Sequence, residues 1–120
     1  MEVKRRVADI IMDILVDNGI TDCFAVVGGG AMHLDNALAL NNKITKYFNH
    51  HEQACAMAAE AYARMSGKIA AVCVTSGPGA TNTLTGVMGC WQDSLPMLVL
   101  SGQVRYEISV PKSGLPLRYR

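Results

Sequence analysis

Residues 69–82 read IAAVCVTSGPGATN. The first half, from Ile69 to Thr75, is a short apolar and β-branched run, which predicts a strand buried on both faces. The second half combines two glycines with a proline, which predicts a tight turn that leads into a helix ending at about Gly89. A buried strand followed directly by a helix is the repeating unit of a parallel α/β sheet.

The sequence on either side of this segment continues the same alternation. Apolar residues at helical spacing alternate with short runs rich in β-branched and aromatic residues. We therefore predict an α/β fold, a parallel sheet flanked by helices on both faces, that is incomplete at its C-terminus. Strands are predicted at 23–27, 44–48, 69–75 and 97–102, helices before Asn18-Gly19, at 31–40, before Ser66-Gly67 and before about Gly89, and a loop at 106–120.

Small residues are frequent in two of the predicted helices. Gly86 and Gly89 lie inside a helix, where each costs about 1 kcal/mol relative to alanine. Close packing between helices would explain both glycines, and simple tolerance is the alternative. In the helix after Glu52, one apolar face is predicted to contain Ala54, Met57, Ala58, Ala61, Tyr62 and Met65.

The composition limits the classes of function. The chain has 120 residues, half of them hydrophobic and 18% charged, and its net charge is +1. Because a chain of this size with so many apolar residues would expose apolar surface, part of that surface is expected to be buried against another domain or protein. No basic stripe is present, so nucleic acid is not expected as a partner.

The N-terminus and the cysteines indicate a cytoplasmic protein. Acidic residues at 9, 13 and 17 interrupt the first apolar stretch, so an amphipathic helix fits it better than a signal peptide. No apolar run is long enough to cross a membrane. Four cysteines, none in a CxxC pair, are expected to be reduced and buried: Cys23, Cys55, Cys73 and Cys90.

Two glycine-rich loops are candidate ligand sites. The loop VVGGGA lacks a dinucleotide fingerprint, because His33 stands where the third glycine belongs, so a plain turn and a ligand loop are equally open. SGPGATN is not a P-loop, yet Gly77 and Gly79 would let the backbone approach a ligand and Pro78 would stiffen the turn. We interpret SGPGATN as a binding loop at the carboxyl end of a strand.

Glu52 heads an apolar helix, where a solvated first-turn carboxylate and a buried, proton-handling one are both possible. Burial would raise its pKa and the helix N-terminus would lower it, and burial is expected to dominate if the site is dry. The neighbouring HEQAC segment is not HExxH, because Cys55 replaces the second histidine. His50 and His51 are therefore expected to be structural, and no metal ligand is assigned in this chain.

Three segments together resemble a known family. HHEQACAMAAEAYARMSGK, VCVTSGPGATNTLTG and DSLPMLVLSGQV resemble the pyrimidine-binding domain of thiamine-diphosphate enzymes, and are most similar to the acetolactate synthase group. The resemblance extends from the first helix to Val104. GGGAMHLDNAL departs from the Pro-Gly-Gly form that the first loop usually has in acetolactate synthases.

This resemblance implies roles for single residues. The family's glutamate at the position of Glu52 bonds a ring nitrogen of the cofactor's aminopyrimidine and favours the imino tautomer, which takes the proton from the thiazolium carbon. The ylide so formed attacks a 2-keto acid such as pyruvate, and the cofactor holds the electrons of decarboxylation. The resemblance further implies that Gly77, Pro78 and Asn82 line the pyrimidine end and that Gly28, Gly29, Gly30, Ala31 and Gln103 face the reacting end.

The resemblance also implies parts that lie outside this chain. The family binds Mg²⁺ and the diphosphate through a Gly-Asp-Gly motif, which does not occur here. Residues 1–120 are therefore expected to be the N-terminal part of the pyrimidine-binding domain, inactive alone, without the central and diphosphate-binding domains. The family implies a homodimer or homotetramer and leaves FAD open. The alternative is a non-catalytic interaction module that packs on a partner through its small-residue helices.

Overall fold

A parallel sheet of strands in the order β2-β1-β3-β4 organises the part of the chain that the structure describes. The structure is a computed structural model that describes residues 4–109. The predicted parallel α/β fold is confirmed, and the predicted loop beyond residue 109 lies outside the described residues. The strands are β1 Asp22–Ala25, β2 Thr45–Phe48, β3 Ala70–Val74 and β4 Met97–Ser101, and the helices are α1 Val7–Asp17, α2 Met32–Leu40, α3 Glu52–Ser66, α4 Pro78–Thr81 and α5 Leu84–Gln92.

Strand β3 lies at the centre of the sheet. All its residues are buried, as the uninterrupted apolar run predicts. Cys73 of β3 is in register with Ala25 of β1 on one side and with Leu100 of β4 on the other. The loop that follows β3 is therefore next to the loops that follow β1 and β4.

Helices cover both faces of the sheet, as predicted. On one face α1 and α2 pack together over Cys23, Ala71 and Cys73. On the other face α3 covers Val72 and Val74, and α5 packs against α3. Within residues 4–109, none of the helices is long and apolar enough to cross a bilayer.

The cysteines are buried in these layers as free thiols, as predicted: Cys23, Cys55, Cys73 and Cys90. Burial raises the pKa of Cys23 and of Cys73 to about 12, and each thiol also feels nearby negative groups. Thiols that hold their protons so firmly are inert at neutral pH.

The apolar face predicted for α3 is not the face that packs within this domain. The buried residues are Cys55, Ala56, Ala59 and Ala63, whereas Ala54, Ala61, Met57 and Met65 of the predicted face are exposed. Both faces of this alanine-rich helix are small and apolar, so composition alone does not distinguish them. The small face lets α5 approach closely.

Gly86 makes that close approach possible. A Cβ built at Gly86 would lie 2.5 Å from Cβ of Ala56 and 2.8 Å from its carbonyl carbon. At Gly89 the nearest atom to such a Cβ is Oε2 of Glu60, 3.0 Å away at the end of a flexible side chain. Close packing therefore explains Gly86, and Gly89 faces only a movable neighbour.

The helix predicted to run to about Gly89 is broken in two. Helix α4 ends at Thr81, and α5 begins at Leu84 and continues to Gln92. The hydroxyl of Thr83 donates to the carbonyl oxygen of Ala80 at 2.7 Å. Such a bond from a side chain to the preceding turn competes with the helical ladder.

Candidate functional site

Four loops meet at one edge of the sheet, where the carboxyl ends of the strands lie. They begin after Ala25, Phe48, Val74 and Ser101, the last residues of β1 to β4. In open parallel sheets the ligand binds at this edge, between two neighbouring strands whose following connections run in opposite directions across the sheet. Here those two strands are β1 and β3.

Glu52 is the first residue of α3 and contacts the loop after β3. Asn82 donates a hydrogen bond of 2.9 Å from Nδ2 to Oε2 of Glu52. His51 precedes the helix, and its Nδ1 accepts the N–H of Gln53 at 3.1 Å. His51 is therefore a helix cap, which agrees with the predicted structural role.

The electrostatics of Glu52 differ from the expectation for a dry site. The hydrogen bond from Asn82, helped by the backbone N–H of Glu52 itself, lowers the pKa of Glu52 against a weaker effect of burial. Glu52 is only partly buried in this chain, so the condition of a dry site is not met and the expectation for a dry site stays a prediction. The carboxylate is ionised and held by an amide donor.

The loop SGPGATN brings backbone close to Glu52. Gly77 has φ +64°, a conformation that side chains other than glycine rarely adopt, and Pro78 starts α4. Gly79 is buried, and a Cβ built there would lie 3.6 Å from Oε1 of Glu52. The structure thus brings Gly77, Pro78 and Asn82 to the side of Glu52.

The first glycine loop is a 3-10 turn, Gly29–Ala31, held by hydrogen bonds from three directions. Gly28 N–H donates to Oδ2 of Asp35 at 3.0 Å, and Gly30 N–H donates to Oγ1 of Thr75 at 3.0 Å. Gln103 N–H donates to the carbonyl oxygen of Gly30 at 3.0 Å. The predicted residues Gly28 to Ala31 and Gln103 therefore lie together.

The side chain of Gln103 is turned back on its own segment. Its Oε1 accepts the N–H of Val104 at 2.8 Å. Gln103 therefore contributes to the loop through its backbone in this structure. A role for its amide toward a ligand stays a prediction.

Thr75 and Asp35 belong to this edge but were not predicted. Thr75 follows β3 and contacts the first glycine loop, and Asp35 lies on α2. Burial raises the pKa of Asp35, and the N–H of Gly28 partly offsets this effect. The only sequence signal was the position of Thr75 between a buried strand and a glycine-rich turn.

Metal-binding residues do not cluster in the described part of the chain. Residues 4–109 contain no group of three or more histidine, cysteine, aspartate or glutamate side chains placed to hold a metal ion.

The sequence of residues 5–115 matches the family model described as the thiamine pyrophosphate enzyme, N-terminal TPP binding domain. The chain belongs to this family. The resemblance inferred from the three motifs is thereby confirmed, and with it the assignment as a thiamine pyrophosphate (TPP) binding domain.

The relatives of this TPP-binding domain include acetolactate synthases. It is 42% identical over 97 residues to an acetolactate synthase large subunit of Buchnera aphidicola subsp. Schizaphis graminum. It is 42% identical over 100 residues to acetolactate synthase 1, chloroplastic, of Oryza sativa subsp. japonica, and 40% identical over 97 residues to acetolactate synthase isozyme 3 large subunit of Escherichia coli K12. The matches cover 81–83% of this chain but only 16–17% of each relative.

A solved structure shows the same fold. It is an X-ray structure of a protein described as a thiamin diphosphate-dependent enzyme isolated from Mycobacterium smegmatis. The TM-score is 0.81 at 22% sequence identity, and the match covers 90% of this chain and 20% of that one. The sheet and helices of this TPP-binding domain therefore have a close structural counterpart.

The residues at the carboxyl edge fit the pyrimidine end of thiamine diphosphate. An ionised carboxylate has about four acceptor positions, and Asn82 occupies one on Glu52, so others can face a ring nitrogen. The turn at Gly77, with its positive φ, and the buried Gly79 bring main-chain groups close to it. The described residues offer no comparable set for the diphosphate.

Proposed function

We propose that this chain is the pyrimidine-binding portion of an acetolactate synthase-like enzyme. That enzyme would use thiamine diphosphate to decarboxylate a 2-keto acid such as pyruvate and would transfer or release the acyl group that remains. The observation that carries the proposal is the Glu52–Asn82 pair beside the Gly77 loop, in a chain about 40% identical to acetolactate synthases.

Glu52 is proposed as the catalytic residue. Thiamine diphosphate, when bound, supplies a carbon nucleophile and an electron sink. Glu52 would hold a hydrogen bond to a ring nitrogen of the pyrimidine, and Asn82 would keep the carboxylate oriented toward it. Gly77 and Pro78 would contact the same end of the cofactor with backbone atoms.

The pKa of Glu52 depends on how much water reaches the site. In this chain the Asn82 hydrogen bond lowers its pKa and the carboxylate is partly exposed. A second subunit that covered the edge would remove water and raise that pKa. We infer that Glu52 acquires its proton-sharing role only in the assembled enzyme.

The other glycine loop is proposed to face the substrate. Gly28, Gly29, Gly30 and Ala31, with Gln103, would border the end of the cofactor where the 2-keto acid reacts. The support is their position at the same sheet edge, tied to β3 through Thr75. Backbone N–H and C=O groups of a tight turn are suited to orient a small acid.

The remaining parts of the enzyme are proposed to come from outside this chain. Mg²⁺ would be held with the diphosphate by another domain, since divalent cations use oxygen ligands that no cluster in residues 4–109 supplies. FAD is compatible with this assignment and is left open. A cytoplasmic location agrees with the four free, buried cysteines.

A homodimer or homotetramer is proposed, with α3 and α5 at the contact between subunits. Leu84, Met88 and Trp91 of α5 are 59%, 57% and 81% exposed and lie along one side of the helix. With Val87 they border an apolar depression of about 500 Å³. Apolar area of this kind favours association with a second surface.

The test is carried out on the full-length enzyme. Binding of thiamine diphosphate is titrated with and without Mg²⁺, and carbon dioxide release from pyruvate is followed with the product identified. Mg²⁺-dependent binding and release of carbon dioxide are expected. A full-length polypeptide that binds no thiamine diphosphate, yet associates with a partner through α5, would favour the non-catalytic interaction module instead.

A further inference from the structure

Thr75 lies between the two glycine loops and contacts both. It follows β3 directly, at the carboxyl edge of the sheet next to the end of β1. Cβ atoms built at Gly28, Gly30 and Gly79 would lie 2.5 Å, 2.9 Å and 2.7 Å from the nearest atoms of the Thr75 side chain. Three glycines thus leave room for this one side chain.

The hydroxyl and the methyl group of Thr75 make different contacts. Oγ1 accepts the N–H of Gly30 at 3.0 Å, whereas Cγ2 packs against both loops, 2.7 Å from a Cβ built at Gly79 and 2.8 Å from one built at Gly28. Gly79 in turn lies next to Glu52, whose Oε1 would be 3.6 Å from the same Cβ. Thr75 therefore connects the Gly30 turn to the backbone that borders Glu52.

The other residues that contact the Gly30 turn do not connect it to Glu52. Asp35 holds Gly28 from α2, and Gln103 holds the carbonyl oxygen of Gly30 from the segment after β4. Gly102 packs so closely on this turn that a Cβ there would lie 2.3 Å from the oxygen of Gly30. Ser76 Oγ also lies close to Gly30, 2.8 Å from a Cβ built there, but the N–H of Gly30 is bonded to Thr75.

We propose that Thr75 is a positioning residue that sets the distance between the proposed substrate loop, residues 28–31, and the Glu52 end of the cofactor site. The inference rests on the proposed function. The hydroxyl determines the placement of the substrate loop, and the methyl group determines the placement of Gly79 beside Glu52. Removing each group alone is expected to affect a different step.

Two conservative variants of the full-length enzyme separate the groups. Thr75→Val keeps the shape and a methyl against Gly79 but gives Gly30 N–H no acceptor. Its KM for the 2-keto acid is expected to rise about tenfold, because the turn that faces the substrate is no longer held in place. Exchange of the cofactor's C2–H should stay close to wild type, and the melting temperature should fall somewhat, because a partly buried N–H loses its partner.

Thr75→Ser keeps the acceptor and removes the methyl group. Its KM for the 2-keto acid is expected to stay within about twofold of wild type, while C2–H exchange slows because Gly79 is no longer packed beside Glu52. Thr45→Val, on the exposed edge strand β2, is the matched control and should behave as wild type.

Hydrogen exchange supplies a readout that needs no cofactor. The amides of residues 28–31 should exchange faster in Thr75→Val than in Thr75→Ser or wild type, since only the valine variant loses the bond to Gly30. An active wild type whose KM and loop exchange are unchanged by Thr75→Val would overturn this inference alone. A wild type without any turnover of a 2-keto acid would overturn the proposed function and this inference with it.

Discussion

The side-chain amide of Asn82 donates a 2.9 Å hydrogen bond to Oε2 of Glu52 across thirty positions of sequence. This bond joins the start of α3 to the loop after β3, so two separate segments place one carboxylate. It is also the largest cause that lowers the pKa of Glu52 in the chain alone.

Replacing the carboxylate of Glu52 should remove proton transfer and spare the fold. In the full-length enzyme, Glu52→Gln is expected to lower turnover and the rate of C2–H exchange of thiamine diphosphate by about 10²–10⁴-fold, the usual contribution of a proton-transferring side chain. Hydrogen exchange into the cofactor, followed by NMR after acid quench, measures it. Glu60→Gln, on the same helix, is the control, and equal C2–H exchange in wild type and Glu52→Gln would exclude the role.

Removing the amide donor should change the titration of Glu52. Asn82→Ala is expected to raise the pKa of Glu52 toward its ordinary value, because the main lowering contact is lost. A carboxyl whose pKa is lowered on folding stabilises the protein at pH values above its unfolded-state pKa. That stabilisation is lost as the pH falls through the pKa of the folded state. The variant should therefore lose less stability on acidification. Carbon NMR titration of the carboxyl group checks this, with Thr81→Ala expected to titrate as wild type.

The sequence predicted the architecture because its signals are local. The four apolar runs became β1 to β4 with small changes at their ends, and the breaks at Gly19 and Gly67 ended α1 and α3. The motifs also placed Glu52 and the Gly77 loop at one edge. In a parallel sheet, that placement follows from strand direction alone.

Contacts between distant segments could not be predicted in this way. The bond from Gly30 to Thr75 joins residues 45 positions apart, and nothing in either segment alone signals it. Composition does not reveal the packing face of α3 because alanines occupy both faces, and the direction of the pKa shift of Glu52 stayed open because it depends on Asn82 and on the cover over the site. Each of these depends on three-dimensional neighbours.

The two glycines of α5 should respond oppositely to alanine. Gly86→Ala would put a methyl group 2.8 Å from the backbone of Ala56, which cannot move as a side chain can. Overpacking of about 1–3 kcal/mol should outweigh the gain of about 1 kcal/mol in helix propensity, so the free energy of unfolding decreases. Gly89→Ala faces only Glu60 and should leave stability unchanged or higher. Urea denaturation measures both, and equal effects would contradict the packing argument.

Asp22 should make stability depend on pH. Burial acts to raise its pKa, but hydrogen bonds from the hydroxyls of Tyr62, Thr21 and Tyr47 bring it below the ordinary value. The stability it contributes is present above the unfolded-state pKa and is lost as pH falls through the folded one. Asp22→Asn should therefore flatten the acid side of the curve of melting temperature against pH. Tyr47→Phe is expected to show a smaller change of the same sign.

Residues 1–120 alone should be inactive and should self-associate. The apolar side of α5 is exposed, so association should increase with concentration in analytical sedimentation. Met88→Lys is expected to reduce association, whereas Ile14→Lys, on the helix layer across the sheet, should not. Tight Mg²⁺-dependent binding of thiamine diphosphate by a monomer of this chain would contradict the prediction.

The buried cysteines can be used to measure local unfolding of the domain, because a reagent reaches them only when the structure around them opens. With a pKa of about 12, only about one in 10⁵ of the Cys73 side chains is a thiolate at pH 7, and the side chain is shielded from reagents. Cys73 lies in the layer under α1 and α2, whereas Cys55 is on α3 and faces the opposite side of the sheet. The alkylation rate of each cysteine would thus report how often the helix layer on its own face of the sheet opens. Equal rates would mean that both layers open together in a single unfolding event.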